Sequence, residues 1–582
     1  MITLGINAAF HDSAAAIVVD GELIAAAEEE RFSRIKHAKR PVPFSAWELP
    51  YAAIDFCLAE AGVGLREVDH VAYSFRPDVF ARGRLGSQTT IALPLEPSVE
   101  PALPWESPWD PLFLSYVINA PRQLVDGVPH RLRKRFEGIK PAEAPYRWHH
   151  VDHHQCHQAS AFLAAPFERC AVMTLDGRGE HATTSYGAYR GDRYESLGVV
   201  EMPHSLGLLY ERITQHLGFL HSSDEYKVMA LAALGTPQFR RLLAEHIEIG
   251  AHGQYRVLPL DLARMCGPPR EPGTPMEQHH LDLAASLQDV LEDTVLQLAR
   301  WLREASGEAR LAMAGGVALN CVMNARLRDA GIFDAVWVQP AAGDAGTALG
   351  AALWIDAQER GSALSLGRRR WTMGHAHWGP GYDDDAIEQH LRWARLPYRR
   401  SDDLAHDVAR LLADNRIVGW FQGRMEFGPR ALGARSILAS PIDPAMQARL
   451  NALKEREDFR PMAPAVPQEE LARWFAPADA NGGVSPFMLF VYDVVPGRGE
   501  RIPSAWHTDR TARVQTVDHD TNPRFYALLR EFGRITGVPV LVNTSFNVHG
   551  EPIVCTPRDA IEALYCTPLD ALAIGPFILE KA

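Results

Sequence analysis

Thr3-Leu4-Gly5-Ile6-Asn7 is followed by Ala8-Ala9-Phe10-His11-Asp12-Ser13 and then by Ala14-Ala15-Ala16-Ile17-Val18-Val19-Asp20-Gly21. The apolar runs at either end predict two strands joined by a loop of small residues. Asp20-Gly21 predicts a hairpin, because glycine accepts the positive φ of a tight turn. A third strand is expected from Leu23 to Ala27, ending in Glu28-Glu29-Glu30-Arg31-Phe32. The pattern returns later. Ala171 to Leu175 is apolar, Asp176-Gly177-Arg178-Gly179-Glu180 is a loop, and Thr183 to Tyr189 reads as a strand. Gly191-Asp192 makes the turn into a third strand, Tyr194 to Val199. A strand, a small or acidic loop and a hairpin, occurring twice, predict two similar lobes of an α/β fold.

Phosphate-binding folds of the actin and sugar-kinase type are built this way, which bears on fold and not on function. Between the two units lies Val151-Asp152-His153-His154-Gln155-Cys156-His157-Gln158-Ala159-Ser160-Ala161-Phe162. On a helix, His153 and His157 stand at i and i+4, so both imidazoles can face one ion. A partly buried polar face is the other reading of the same spacing. A zincin protease is excluded, because its general base Glu would follow the first His, where this chain has His154. The small residues that follow suit close packing on a neighbouring element.

From about 78 to 145 the chain is irregular, with Pro94, Pro97, Pro101, Pro104, Pro108 and Pro111 around Trp105 and Trp109. Prolines this dense exclude regular helix or central strand. The segment reads as a surface excursion or as a lid that binds an acceptor. Asp224-Glu225-Tyr226-Lys227 is either an exposed turn or part of a cleft lining. A long helix is expected over 280 to 305. Strand Leu311 to Ala314 then runs into Gly315-Gly316-Val317-Ala318-Leu319-Asn320, where glycines let backbone N–H groups approach a phosphate. Strand Ala335 to Val338 leads to Gly343-Asp344-Ala345-Gly346, and Asp344 at a strand's C-terminal end is placed to reach a ligand or ion.

Glycine and proline gather at 360 to 382, which predicts a boundary between a first domain, 1–365, and a second, 366–582. Arg368-Arg369-Arg370 reads as a solvated loop patch. The second domain resumes with helix and strand, Ile417 to Phe421, and continues into Gly428-Pro429-Arg430-Ala431-Leu432-Gly433-Ala434-Arg435 and Lys454-Glu455-Arg456-Glu457-Asp458-Phe459-Arg460-Pro461. Such basic residues around Gly-Pro turns suit a phosphate- or carboxylate-rich substrate, and equally a salt-bridged surface loop. A short strand, Val540-Leu541-Val542, ends in Asn543-Thr544-Ser545-Phe546-Asn547, whose polar side chains mark a candidate site.

The 582 residues suffice for two or more domains, and 47% hydrophobic with 23% charged residues is ordinary for a globular protein. A formal net charge of −13 argues against a large nucleic-acid surface. Seven scattered cysteines, none in a C-x-x-C pair, suit a reducing compartment. Neither a signal peptide nor a membrane span is expected, so a cytoplasmic location is.

Taken together, Glu28 to Phe32, His153-x-x-x-His157, Ser205-Leu206-Gly207, Tyr226-Lys227-Val228-Met229, Gly315 to Asn320, Gly428 to Gly433, Phe459-Arg460-Pro461 and Asn543 to Asn547 resemble the ATP-dependent O-carbamoyltransferases of the NodU/CmcH group. The resemblance implies a TsaD/Kae-like N-terminal domain and a YrdC-like C-terminal domain. The second would join carbamoyl phosphate to ATP, releasing pyrophosphate and giving carbamoyl adenylate. The first would pass the carbamoyl group to a hydroxyl of a small-molecule acceptor. It further implies metal ligands His153, His157, Asp176 and Asp344, with iron(II) favoured among iron, zinc and manganese, and magnesium accompanying ATP. ATP and carbamoyl phosphate contacts would come from Arg430, Arg435, Lys454, Arg460, Asn543 and Ser545. His11 and Lys36 match N-terminal active-site positions, Gly315, Gly316 and Asn320 a nucleotide-binding turn, and Trp105, Trp109, Asp224 and Lys227 are candidates for acceptor binding. A homodimer is compatible with this. The alternatives are a carbamoylating maturation factor acting on a protein or tRNA, and a non-catalytic nucleotide-binding protein.

Overall fold

The computed structural model describes residues 1–38, 48–81, 110–126, 144–476, 484–548 and 550–581. β1 (Ile2–Asn7), β2 (Ala14–Val19) and β3 (Glu22–Glu28) form an antiparallel meander. β4 (His70–Tyr73) pairs in parallel with β1, and β5 (Arg147–His150) in parallel with β4. The second sheet repeats the plan. β6 (Arg169–Leu175), β7 (Ala182–Arg190) and β8 (Arg193–Glu201) are antiparallel. Strand Arg310–Ala314 pairs in parallel with β6, and Ala335–Val338 in parallel with Arg310–Ala314. Both sheets thus have five strands in one spatial order, third-second-first-fourth-fifth. The two lobes read from the sequence are present, with strand ends within two residues of those expected.

β1 is almost wholly buried because helices Tyr51–Glu60 and Ala345–Arg360 both pack on its sheet, which explains why its sequence runs apolar without alternation. The lobes meet through helices His153–Phe162 and Ala345–Arg360. Their backbones come so close that a Cβ on Gly350 would lie 1.8 Å from the Cys156 carbonyl oxygen. This contact accounts for the small residues on both helices.

Two expectations need correction. A helix, Asp110–Asp126, does lie inside the segment expected to be irregular, with Pro121 in its interior. Pro111 is its second residue, where no N–H is required, and Val117, Ala120 and Leu124 recur at helical spacing on its buried face. Nor is Arg369 solvated. Its guanidinium donates to the carbonyls of Ala165 (2.6 Å) and Phe167 (2.7 Å), just beyond helix His153–Phe162.

The chain stays against the first lobes through Met373, whose N–H donates to Ala164, and Trp378, which accepts from Ala26 N–H. It then builds an eight-stranded mixed sheet. Val418–Phe421, Arg435–Ala439, Leu541–Ser545 and Pro464–Pro467 lie side by side at its centre. Helices Leu404–Ala413 and Pro523–Thr536 pack together against this sheet. One apolar core runs from Ala171 to Leu579 through both halves. Polar contacts reinforce it. The buried Glu28 accepts from Gly428 N–H (2.8 Å), and Arg31 donates to Gly428 O (2.9 Å) while pairing with Glu28 (3.1 Å). The Glu28-to-Phe32 motif is therefore a clamp between the two halves. Arg328 adds a bond to Val491 O (3.1 Å) and lies 4.3 Å over the Tyr492 ring.

Candidate functional site

Four buried side chains converge where the lobes meet: His153, His157, Asp176 and Asp344. Helix His153–Phe162 supplies the imidazoles. Its start is fixed by Asp152, whose side chain accepts from Gln155 N–H, and by Glu180, which accepts from His153 N–H (3.1 Å) and Arg76 N–H (2.6 Å). Asp176 directly follows β6, and Asp344 stands at the N-cap of helix Ala345–Arg360. His153 Nε2 is 3.7 Å from Asp176 Oδ2 and 3.5 Å from Asp344 Oδ1. His157 Nε2 is 3.8 and 3.6 Å from the same atoms.

These separations exceed good hydrogen bonds, and both Nε2 atoms are buried without a hydrogen-bond partner. The separations lie slightly beyond the roughly 3–3.5 Å that metal bonds of roughly 2.0–2.2 Å set between neighbouring ligands, so small inward shifts would place all four donors around one cation. The far sides of three of the four groups are already tied, while His157 Nδ1 is buried without a partner. His153 Nδ1 faces Ser74 O at 3.3 Å, so the proton belongs there and Nε2 keeps its lone pair. Asp176 Oδ1 accepts from Gly316 N–H (2.8 Å), and Asp344 Oδ2 from His11 N–H (3.1 Å). The donor set fits a divalent ion and suits iron(II), zinc or manganese alike. Without an ion, burial opposes protonation of His153, but Asp344 and Asp176 raise its pKa well above the ordinary value.

Beside this cluster, Asp12 takes one imidazole on each oxygen: His11 Nδ1 at 2.9 Å and His37 Nδ1 at 2.7 Å. Burial opposes ionisation of Asp12, yet the two histidines hold its carboxyl well below the usual range. Phe10, Asp12, His37 and Ala38 all have φ between 46 and 59°. Left-handed backbone at residues other than glycine concentrates at functional sites. Lys36 precedes His37 and lies near enough to the second half to act on Lys454. Burial, then Arg456, Arg460 and Lys36, hold the Lys454 ammonium well below its ordinary pKa.

The second locus is a cavity between the halves. Tyr226, Met229 and Cys321 line it from the first half, facing Arg430, Arg456, Arg460 and Arg513 from the second. Asp509 is the one carboxylate among its lining residues. The Nε atoms of Arg430 and Arg513 are buried and unpartnered. Burial, then Arg513 and Arg460, pull Arg430 down to about 9, and burial with Arg460 and Arg513 does the same to Arg456. Four guanidinium groups held together, with Asp509 on the lining and Glu457 3.6 Å from Arg460 as their carboxylates, form a site for an anion of several charges.

The structure sorts the expected residues. Arg430, Arg460, Asn543 and Ser545 line the cavity. Lys454 stands behind it, donating to Ser545 O (2.5 Å) and Asn547 Oδ1 (2.8 Å), and so holds the Asn543-to-Asn547 turn in place. Arg435 is corrected. It is buried, donates to Gln422 O (2.9 Å) and Pro380 O (3.0 Å), lies 3.6 Å over the Phe421 ring, and does not line the cavity. Asn320 is corrected too. It caps helix Cys321–Asp329 and exchanges bonds with Gln288, so its amide is spent on the fold. Gly315 (φ 95°) passes so close to Leu175 O that a Cβ would lie 2.2 Å from it, and Gly316 serves Asp176. Lys227 bridges Asp224 (3.1 Å) and Glu457 (2.9 Å), which makes it a pin between the halves. Trp105 and Trp109 lie outside the described residues.

Sequence reasoning missed His37, Ser74, Glu180, Arg456 and Arg513. Arg456 stands inside the charged run already singled out. Arg513 ends a three-residue strand, Thr511–Arg513, and carries no motif.

Profiles described as carbamoyltransferase N-terminus and carbamoyltransferase C-terminus match residues 2–124 with 146–353 and residues 409–581. An uncharacterized protein of Synechocystis sp. is 39% identical over 99% of this chain and 96% of its own length. Nodulation protein NolNO of Sinorhizobium fredii is 38% identical over 99% of this chain and 80% of its own. Nodulation protein NolO of Bradyrhizobium diazoefficiens is 41% identical over 74% of this chain and 79% of its own. Among solved structures, T. kodakarensis HypF matches 61% of this chain and 47% of that one at 13% identity, with a TM-score of 0.32.

Proposed function

Because the chain belongs to the carbamoyltransferase family, we propose that this carbamoyltransferase works in two steps at the two loci. In the first, carbamoyl phosphate and ATP, the latter with magnesium, enter the arginine cavity; water takes the phosphoryl group as inorganic phosphate, and the carbamate oxygen left behind bonds to the α-phosphorus of ATP, giving carbamoyl adenylate and expelling pyrophosphate. In the second, the carbamoyl group passes to a hydroxyl of a small-molecule acceptor beside the His153–Asp344 cluster. The halves then act as a TsaD/Kae-like transfer domain and a YrdC-like adenylating domain, working in the cytoplasm. Among the described residues, no helix is long and apolar enough to cross a membrane.

The observation that carries this reading is the cavity's charge. Carbamoyl phosphate and ATP bring many negative oxygens together, and Arg430, Arg456, Arg460 and Arg513 meet them with N–H groups that have few protein partners. Tyr226 helps to position Arg460, whose guanidinium lies 4.4 Å over its ring. Ser545, held by Lys454 from behind, and Asn543, whose amide donates to Gln515 Oε1, offer polar contacts at the end of their strand.

In the first half, His153, His157, Asp176 and Asp344 would hold a divalent ion, for which iron(II) is the favoured identity. Such an ion supplies Lewis-acid polarisation of a carbonyl or phosphate oxygen. His11 stands next to this cluster through its N–H bond to Asp344, and its ring is held by Asp12. It is therefore positioned to orient an attacking hydroxyl beside the cluster.

Purified protein given ATP and carbamoyl phosphate should release pyrophosphate. A panel of hydroxylated natural products should include one that gains the mass of a single carbamoyl group. Pyrophosphate release that is independent of carbamoyl phosphate would rule out the first step.

A further inference from the structure

Beside the proposed transfer site stands a third residue in line with Asp12 and His37. His37 Nε2 is 3.2 Å from Ser223 Oγ, while its Nδ1 is 2.7 Å from Asp12 Oδ1. The carboxylate fixes the proton on Nδ1, which leaves the Nε2 lone pair facing a hydroxyl. Nucleophile, base and orienting acid in this sequence make up the arrangement that activates serine in acyl transfer, recognised by geometry and independent of fold.

The local backbone supports this use. Ser223 sits in a turn pinned on both sides. Ser222 (φ 56°) spends its N–H on Glu225 (2.8 Å) and its hydroxyl on Glu211 (2.9 Å), and Asp224 N–H bonds Leu220 O (2.9 Å). Asp12 and His37 lie on left-handed backbone of their own. Three separate segments are thus held in costly conformations around one hydrogen-bonded line. Ser223, His37 and Asp12 are each partly exposed, so a substrate can reach them. The line also touches the buried cluster, because Asp12 binds His11 and His11 N–H binds Asp344.

We propose that Ser223, His37 and Asp12 form a nucleophilic relay, and that Ser223 carries the carbamoyl group as a serine carbamate between carbamoyl adenylate and the acceptor. This rests on the two-step reading above. As Ser223 Oγ bonds to the carbamoyl carbon, its proton moves to His37 Nε2. The bond from that carbon to the adenylate phosphate oxygen breaks, and AMP leaves with the electron pair and takes the proton from His37. The acceptor oxygen then attacks the same carbon and gives its proton to His37 Nε2. The carbon–Oγ bond breaks, and His37 returns a proton to Ser223.

The test uses the full chain with ATP and carbamoyl phosphate and no acceptor, followed by denaturation and peptide mass analysis. An ATP-dependent gain of one carbamoyl group is expected on the peptide containing Ser223. Omitting ATP controls for chemical carbamoylation by cyanate. Ser223→Ala should release pyrophosphate like the wild type but lose at least a hundredfold in carbamoyl transfer, and Ser223→Cys should give an adduct cleaved by hydroxylamine. The relay is overturned if the wild type releases pyrophosphate with no ATP-dependent mass on Ser223, or if Ser223→Ala transfers within a few-fold of the wild type. Failure of pyrophosphate release in every protein would instead strike the two-step reading itself.

Discussion

The His153–His157–Asp176–Asp344 cluster and the arginine cavity present opposite electrostatic problems. In the cluster, two carboxylates are buried with two imidazoles whose Nε2 atoms have no partner, so the group lacks a positive charge at its centre. In the cavity, four guanidiniums converge beside a single lining carboxylate, so the group lacks negative charge. Each locus is incomplete in the way its proposed ligand would remedy. The difference also shows in construction. The cluster is built from one helix and two loop starts of the first half, locked by backbone N–H groups. The cavity is shared, with Tyr226 and Cys321 supplied from across the boundary.

The comparison breaks most readily at the cavity. Arg513→Ala removes a guanidinium whose Nε has no protein partner. It should cut pyrophosphate release by roughly a hundred- to a thousandfold, the usual loss when one transition-state contact is removed. Pyrophosphate release within a few-fold of the wild type would remove Arg513 from the site. At the other locus, His157→Ala should lose most bound metal by elemental analysis while keeping its pyrophosphate release. Full metal occupancy in that variant would contradict the ligand set.

Next in size is the contact that holds the two loci together. Arg31→Ala leaves the buried Glu28 facing Gly428 without its cation. Breaking one side of a buried pair costs about 3–5 kcal/mol. Denaturant unfolding should show that loss, and the coupled reaction should suffer more than either half-reaction. Gly350→Val drives a side chain into the Cys156 carbonyl. It should cost about 3 kcal/mol, the upper end of overpacking penalties, and should disturb the metal cluster before the cavity.

The smallest effect concerns Glu225, which accepts from Ser222 N–H. Burial raises its carboxyl from 4.5 to about 7. A carboxyl raised in the folded state favours folding at low pH, and that contribution is lost as pH rises from about 4.5 through 7. Glu225→Gln should therefore flatten the fall in stability across this window. An unchanged slope would show that Glu225 is ionised in the native protein.

Much of the cluster was legible in the sequence, because its physics is local. His153 and His157 are one helical turn apart, and Asp344 stands among glycines at the start of helix Ala345–Arg360, a few residues past the strand whose end it was expected to mark. The duplicated lobes were legible for the same reason, since hairpin turns and apolar runs repeat. Long-range geometry was not. His37 reaches Asp12 only because the chain turns through left-handed conformations that no residue type announces. Arg513 enters the cavity from a short strand. Arg435 lies in the same Gly428-to-Arg435 run as Arg430, yet folds inward onto the Gln422 and Pro380 carbonyls. The direction of each guanidinium after that one Gly-Pro turn is set by packing, which spacing does not encode.

Pyrophosphate release by Arg460→Ala and Asp344→Ala, measured side by side in folded protein, tests most directly whether there are two sites. Arg460→Ala should lose release by at least a hundredfold. Asp344→Ala should release pyrophosphate near the wild-type rate yet form no carbamoylated product. If Asp344→Ala stopped release as completely as Arg460→Ala, the buried cluster would belong to the adenylation step and the two loci would be one composite site.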